Sequence, residues 1–64
     1  MPKRPTQREI GFDEAVIAVC AKLIYRGDDG AEVAVREILQ DFAPDLKRGC
    51  VGDLDTLRRH NLIR

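Results

Sequence analysis

The sequence predicts a compact all-α domain of three helices. Three observations carry that expectation. Apolar residues recur at helical spacing in three segments, and strict alternation is absent. The breaks between those segments are built from Gly, Asp and Pro. Finally, 64 residues that are 44% hydrophobic and 34% charged suffice for one core and leave no room for a second. That hydrophobic content, joined to a formal net charge of zero, also argues against intrinsic disorder.

Residues 1–8 hold Pro2, Pro5, the cations Lys3, Arg4 and Arg8, and a single apolar side chain, Met1. Proline fixes its own backbone and restricts the residue before it, so this stretch reads as an extended basic arm. The expected organisation is an arm over residues 1–11 and a three-helix domain over 12–64. Asp13 suits a helix N-cap, with Phe12 before it and Ile17 placed to complete a hydrophobic staple. Val16, Ile17, Val19, Cys20, Leu23 and Ile24 then share one face, which predicts a first helix over 13–26 ended by Gly27. Residues 27–30, Gly-Asp-Asp-Gly, read as a turn. Ala31, Ala34, Val35, Ile38, Leu39 and Phe42 line one side of a second helix over about 33–42, stopped before Pro44. Val33 falls off that face and reads as a short extended piece. In the connector over 43–52, Leu46 is the apolar anchor and residues 45–48 can form one helical turn before Gly49. A third helix is expected over about 53–60, with Asp53 as its cap and Leu54 and Leu57 facing inward. Asn61 can take the left-handed conformation that closes a helix, with Leu62 and Ile63 beyond it.

Most catalytic chemistries have no foothold in this chain. Serine is absent, His60 is the lone histidine, and the carboxylates spread over polar helix faces. Cys50 with His60 would lack a third group to orient the imidazole, so no enzyme is expected. Residues 49–52 lack the Lys-Ser/Thr of a phosphate-binding loop, and Asp28, Asp29 and Glu32 lack EF-hand spacing. Two cysteines and one histidine fall short of the four ligands of a structural zinc site, so no cofactor or metal is expected. Cys20 lies on the apolar arc and reads as a core thiol. Free thiols are the default, with a Cys20–Cys50 disulfide left open by the count. The longest unbroken apolar run, residues 15–21, is far short of the roughly 20 residues that cross a bilayer. No signal peptide is evident, and the expected location is cytoplasmic.

The zero balance conceals a layout. Residues 1–8 carry +3, residues 9–45 carry −6, and residues 46–64 carry +3. A Pro-rich basic arm suits a minor groove, and the cations after residue 46 suit phosphates. Equally, cationic ends can sit against the acidic middle, within one molecule or across a dimer.

Residues 51–64 place Leu54 and Leu57 three apart, then polar Arg58, Arg59 and His60, then Asn61 before Leu62 and Ile63. This stretch resembles the recognition helix and exit of helix-turn-helix and winged-helix DNA-binding domains. Val35, Ile38 and Leu39 similarly resemble that family's second helix, and Val33 falls where its first short strand lies. The resemblance spans residues 13–64 and implies a helix-turn-helix-like fold. Within it, Arg58, Arg59 and His60 would contact double-stranded DNA, Lys47 and Arg48 would position phosphates, and Lys3, Arg4 and Arg8 would form the arm. The connector is longer than the family's tight turn, and Asp53 and Asp55 stand at the end that approaches base edges. No two-stranded wing is expected within these 64 residues.

Two functions are therefore expected in turn. The first is a small DNA-binding or transcription-regulatory protein. The second is a small phage- or plasmid-type accessory protein that binds another protein through its acidic or apolar helical surface. The apolar run over 15–21 exceeds what so small a domain covers by itself, which predicts a homodimer.

Overall fold

A computed structural model describes residues 7–64. Among these residues the architecture is all-α: helix α1 over Gln7–Arg26, α2 over Ala31–Phe42, a 3-10 turn over Leu46–Arg48, and α3 over Val51–Arg59. α1 is the long central element. α2, α3 and the 3-10 turn all pack on it, and α2 and α3 touch each other only slightly.

The core forms where their apolar stripes meet. Ile17, Cys20, Val35 and Leu57 are fully buried, joined by Ala21, Ile24, Ala31 and Leu54. Val16, Leu23, Ile38, Leu39, Leu46, Leu62 and Ile63 pack around that centre. Leu46 is thus the anchor of the connector, and Leu62 and Ile63 close the far end.

Gly27 takes φ 69° and ends α1, as its lack of a Cβ allows. α2 ends at Ala43, whose φ of 42° is left-handed and whose N–H donates to the Leu39 carbonyl at 3.0 Å. Pro44, which disfavours helix in the residue before it, follows at once. Asp45 accepts the Lys47 N–H at 3.1 Å and so starts the 3-10 turn. Asn61 is left-handed at φ 57°, and the Leu62 N–H returns to the Leu57 carbonyl at 3.0 Å.

Three boundaries differ from the sequence reading. α1 begins at Gln7, so residues 7–11 are helix and not arm, and Asp13 is an interior residue. One helical glycine, Gly11, costs only about 1 kcal/mol, too little to stop a helix that the core supports on its later turns. α2 begins at Ala31 after a left-handed Gly30, so Val33 is helical. α3 begins at Val51 with Cys50 at the cap position, which puts Asp53 inside the first turn, where a carboxylate favours the helix dipole. Residues 1–6 of the expected arm, with Lys3 and Arg4, lie outside the described residues.

Two placements within α1 also differ. Val19, expected in the core, is 55% exposed, and Ala21 is buried in its place. The contact surface of α1 is rotated toward Ala21 because α3 covers that flank.

Candidate interaction surfaces

The basic residues singled out above fall into two groups. Arg8 stands exposed in the first turn of α1. At that same end, the Arg48 Nη1 donates to Asp13 Oδ2 at 2.7 Å, and its Nε lies 3.6 Å from Asp45 Oδ2. Both partners of the shorter contact are largely shielded, with 22% and 17% of their side chains exposed. Arg48 therefore ties the 3-10 turn to α1. Its neighbour Lys47 is exposed and has no ion-pair partner among the described residues.

The second group sits at the other end of α1. Arg58 Nε donates to the Arg64 carbonyl at 3.1 Å, and its Nη1 is 3.6 Å from Asp55. His60 Nδ1 lies 2.9 Å from Glu32 Oε1, a contact that becomes an ion pair when the imidazole is protonated. It joins the end of α3 to the start of α2 beside Ile24, in a hollow bordered by the acidic turn over 27–30. Arg59 is exposed and has no ion-pair partner among the described residues. Along α1, Ile24 is sixteen residues from Arg8 and eleven from Asp13, which holds Arg48, so the two basic groups stand about 16–24 Å apart.

An uncovered apolar surface lies between α1 and α2. Phe12, Ala15, Val16, Val19, Ile38 and Phe42 line a groove of about 270 Å³. Phe12 and Phe42 form its floor at one end, with ring centroids 5.7 Å apart and planes at 64° in an edge-to-face arrangement. Both rings remain about half exposed, at 49% and 53%. Phe12 thus meets Phe42, thirty residues away, and the surface has no sequence-local signature beyond the excess apolar run noted above.

The cysteines are both free. Cys20 is buried and its surroundings push the thiol pKa up, so it stays protonated at neutral pH. Cys50 is exposed, its Sγ 4.0 Å from Glu14 Oε1. Among the described residues no three His, Cys, Asp or Glu side chains gather around a metal position. Nor is any described helix long and apolar enough to cross a membrane. No family model, curated protein or solved structure matches this chain.

Proposed function

We propose that this protein is a small protein-interaction domain that docks through the apolar face of α1 and α2. The observation that carries this reading is the groove lined by Phe12, Val19 and Phe42, three large apolar side chains left about half in water. A domain of this size has little apolar surface to spare from its core. A contiguous patch of it beside a fully packed centre is the mark of an interaction site.

The basic residues give weaker support to DNA. Arg48 is held by Asp13 and Asp45, Arg58 by Asp55, and His60 by Glu32. A phosphate would have to displace a carboxylate at each. A second reading, binding to double-stranded DNA, rests on the cluster of Arg58, Arg59 and Arg64 at the exposed end of α3.

One paired experiment separates the two. The wild-type chain and a Phe42→Glu variant are immobilised, and retained proteins are identified, purified and tested for direct binding. Duplex DNA of random sequence is titrated in parallel at low and moderate salt. The expected result is a purified partner bound by the wild type and lost from Phe42→Glu, with no duplex retention. Duplex retention that falls steeply with salt, survives Phe42→Glu and disappears with Arg58→Ala/Arg59→Ala would replace this reading with DNA binding.

A further inference from the structure

The groove is flanked by charge of opposite sign on its two sides. At 100° per residue, Lys22 falls on the outer side of the α1 stripe formed by Phe12, Ala15 and Val19, and Arg8 falls within that stripe at its first turn. On α2, Glu37 and Asp41 fall on the outer side of Ile38 and Phe42, one turn from each other. All four are exposed, and none has an ion-pair partner among the described residues. The α1 half of the face therefore carries basic side chains, with Lys22 at its outer edge, and the outer edge of the α2 half is acidic.

We propose that the occupant of this groove is a second copy of the same chain, stacked face to face so that α1 of each copy lies over α2 of the other. This rests on the interaction-domain reading and names its partner. Two symmetric ways of stacking the face on itself exist. With the two-fold axis across the helices, α1 meets α1 antiparallel, and the basic edges of both copies coincide, as do the acidic edges. With the axis along the helices, α1 meets α2 of the other copy, and each basic edge covers an acidic one. Charge selects the second arrangement, since like charges brought together across an interface oppose it.

The heights match as well. Phe12 pairs with Phe42, and Val16 and Val19 share the groove with Ile38, so α1 and α2 run antiparallel with those residues level. An axis along the helices preserves height. It brings Lys22 within about 6 Å, measured along the axis, of Glu37 on the second copy. Side chains on a helix lean toward its N-terminus, so these two lean toward each other. The result is a four-helix bundle in which Phe12, Val19, Ile38 and Phe42 of both copies share one apolar layer.

The available area bounds the affinity. α1 and α2 are about 30 and 18 Å long and each about 10 Å across, a face on the order of 500 Å² per copy. Stacking two such faces buries on the order of 1,000 Å², the lower end of specific interfaces. Interfaces at that end form weak complexes, so a reversible dimer is expected, with an affinity from about micromolar to sub-millimolar.

The test is sedimentation of the full chain from low micromolar to about 0.5 mM, a span that brackets that affinity. Four samples are compared: the wild type, Lys22→Glu, Glu37→Lys, and an equimolar mixture of the two variants. Circular dichroism confirms that each exposed substitution leaves the helices intact. The wild type is expected to dimerise reversibly. Each variant alone, with two reversed contacts per dimer, is expected to self-associate about ten-fold more weakly. The mixture should recover wild-type association, because the two substituted side chains then face each other with opposite charge on one side, while the original pair is kept on the other. A wild type that stays monomeric throughout overturns the dimer. If such a monomer still binds a purified foreign partner through Phe42, the interaction-domain reading stands without self-association. Dimerisation weakened by Lys22→Glu but indifferent to Glu37→Lys, with no recovery on mixing, overturns the α1-over-α2 arrangement.

Discussion

Gly49 shows how much a single position in a connector can carry. Its backbone, at φ −80° and ψ 154°, is open to any residue, so conformational freedom is not what it supplies. A Cβ there would lie 2.9 Å from Ile17 Cγ2, 3.0 Å from Ile17 Cδ1 and 3.1 Å from Leu54 Cδ2. Ile17 is fully buried and stiff at χ1, so it has nowhere to yield. Gly49→Ala is therefore expected to destabilise the fold by about 1–3 kcal/mol, the usual cost of overpacking. Urea denaturation measures this, and an unchanged midpoint would mean that α1 shifts freely against the connector. Arg48, one residue earlier, works in the same direction through its short contact with Asp13. Together these neighbours press the 3-10 turn onto α1, one by absence of bulk and the other by charge. Neither role could be read from the sequence, since each depends on a partner more than thirty positions away.

At the scale of elements, α1 organises the molecule. Its length follows from a boundary that local signals misplaced, because Phe12 and Asp13 have the form of a staple and a cap and Gly11 precedes them. Packing overrides both. Phe12 turns to Phe42 instead of stapling Ile17, and Asp13 takes Arg48 instead of capping a backbone N–H. Inside the longer helix, Gly11 has open space where a Cβ would sit. Gly11→Ala should thus stabilise the protein by about 0.5–1 kcal/mol, read as a higher urea midpoint with greater helical ellipticity. A neutral or negative effect would place Gly11 outside a stable helix and return the start of α1 to Asp13. By contrast, the apolar face and the end of α2, the turns at Gly27 and Asn61, and the inward Leu54 and Leu57 were legible in the sequence, because spacing and turn chemistry are local properties. The apolar groove was legible only as a surplus. Residues 15–21 held more apolar surface than one core could use, but which side chains stayed outside depended on where α3 settled.

For the molecule as a whole, size and surface bear on the same quantity. A chain of 64 residues buries only about 60% of the surface its unfolded form exposes, which leaves a narrow margin of stability. The eight buried apolar residues of the core include two alanines and a cysteine, small side chains that contribute little each. Covering the α1/α2 groove would add Phe12, Val19 and Phe42 to the buried set, a substantial fraction of the present core. If that cover is a second copy, folding and association are linked, and stability must rise with protein concentration. At a hundred times the dissociation constant the linkage is worth about 2.7 kcal/mol, and each kcal/mol moves the melting temperature of so small a domain by about 4–8 °C. Thermal unfolding from dilute to concentrated solution is therefore expected to show a midpoint that climbs by roughly 10–20 °C. The same series on Val19→Glu should be flat, since Val19 lies in the groove and outside the core, and a carboxylate there blocks the apolar layer without disturbing Ile17 or Cys20. A wild-type midpoint independent of concentration would mean that the core alone sustains the fold, and that the exposed phenylalanines are kept for a partner of another kind.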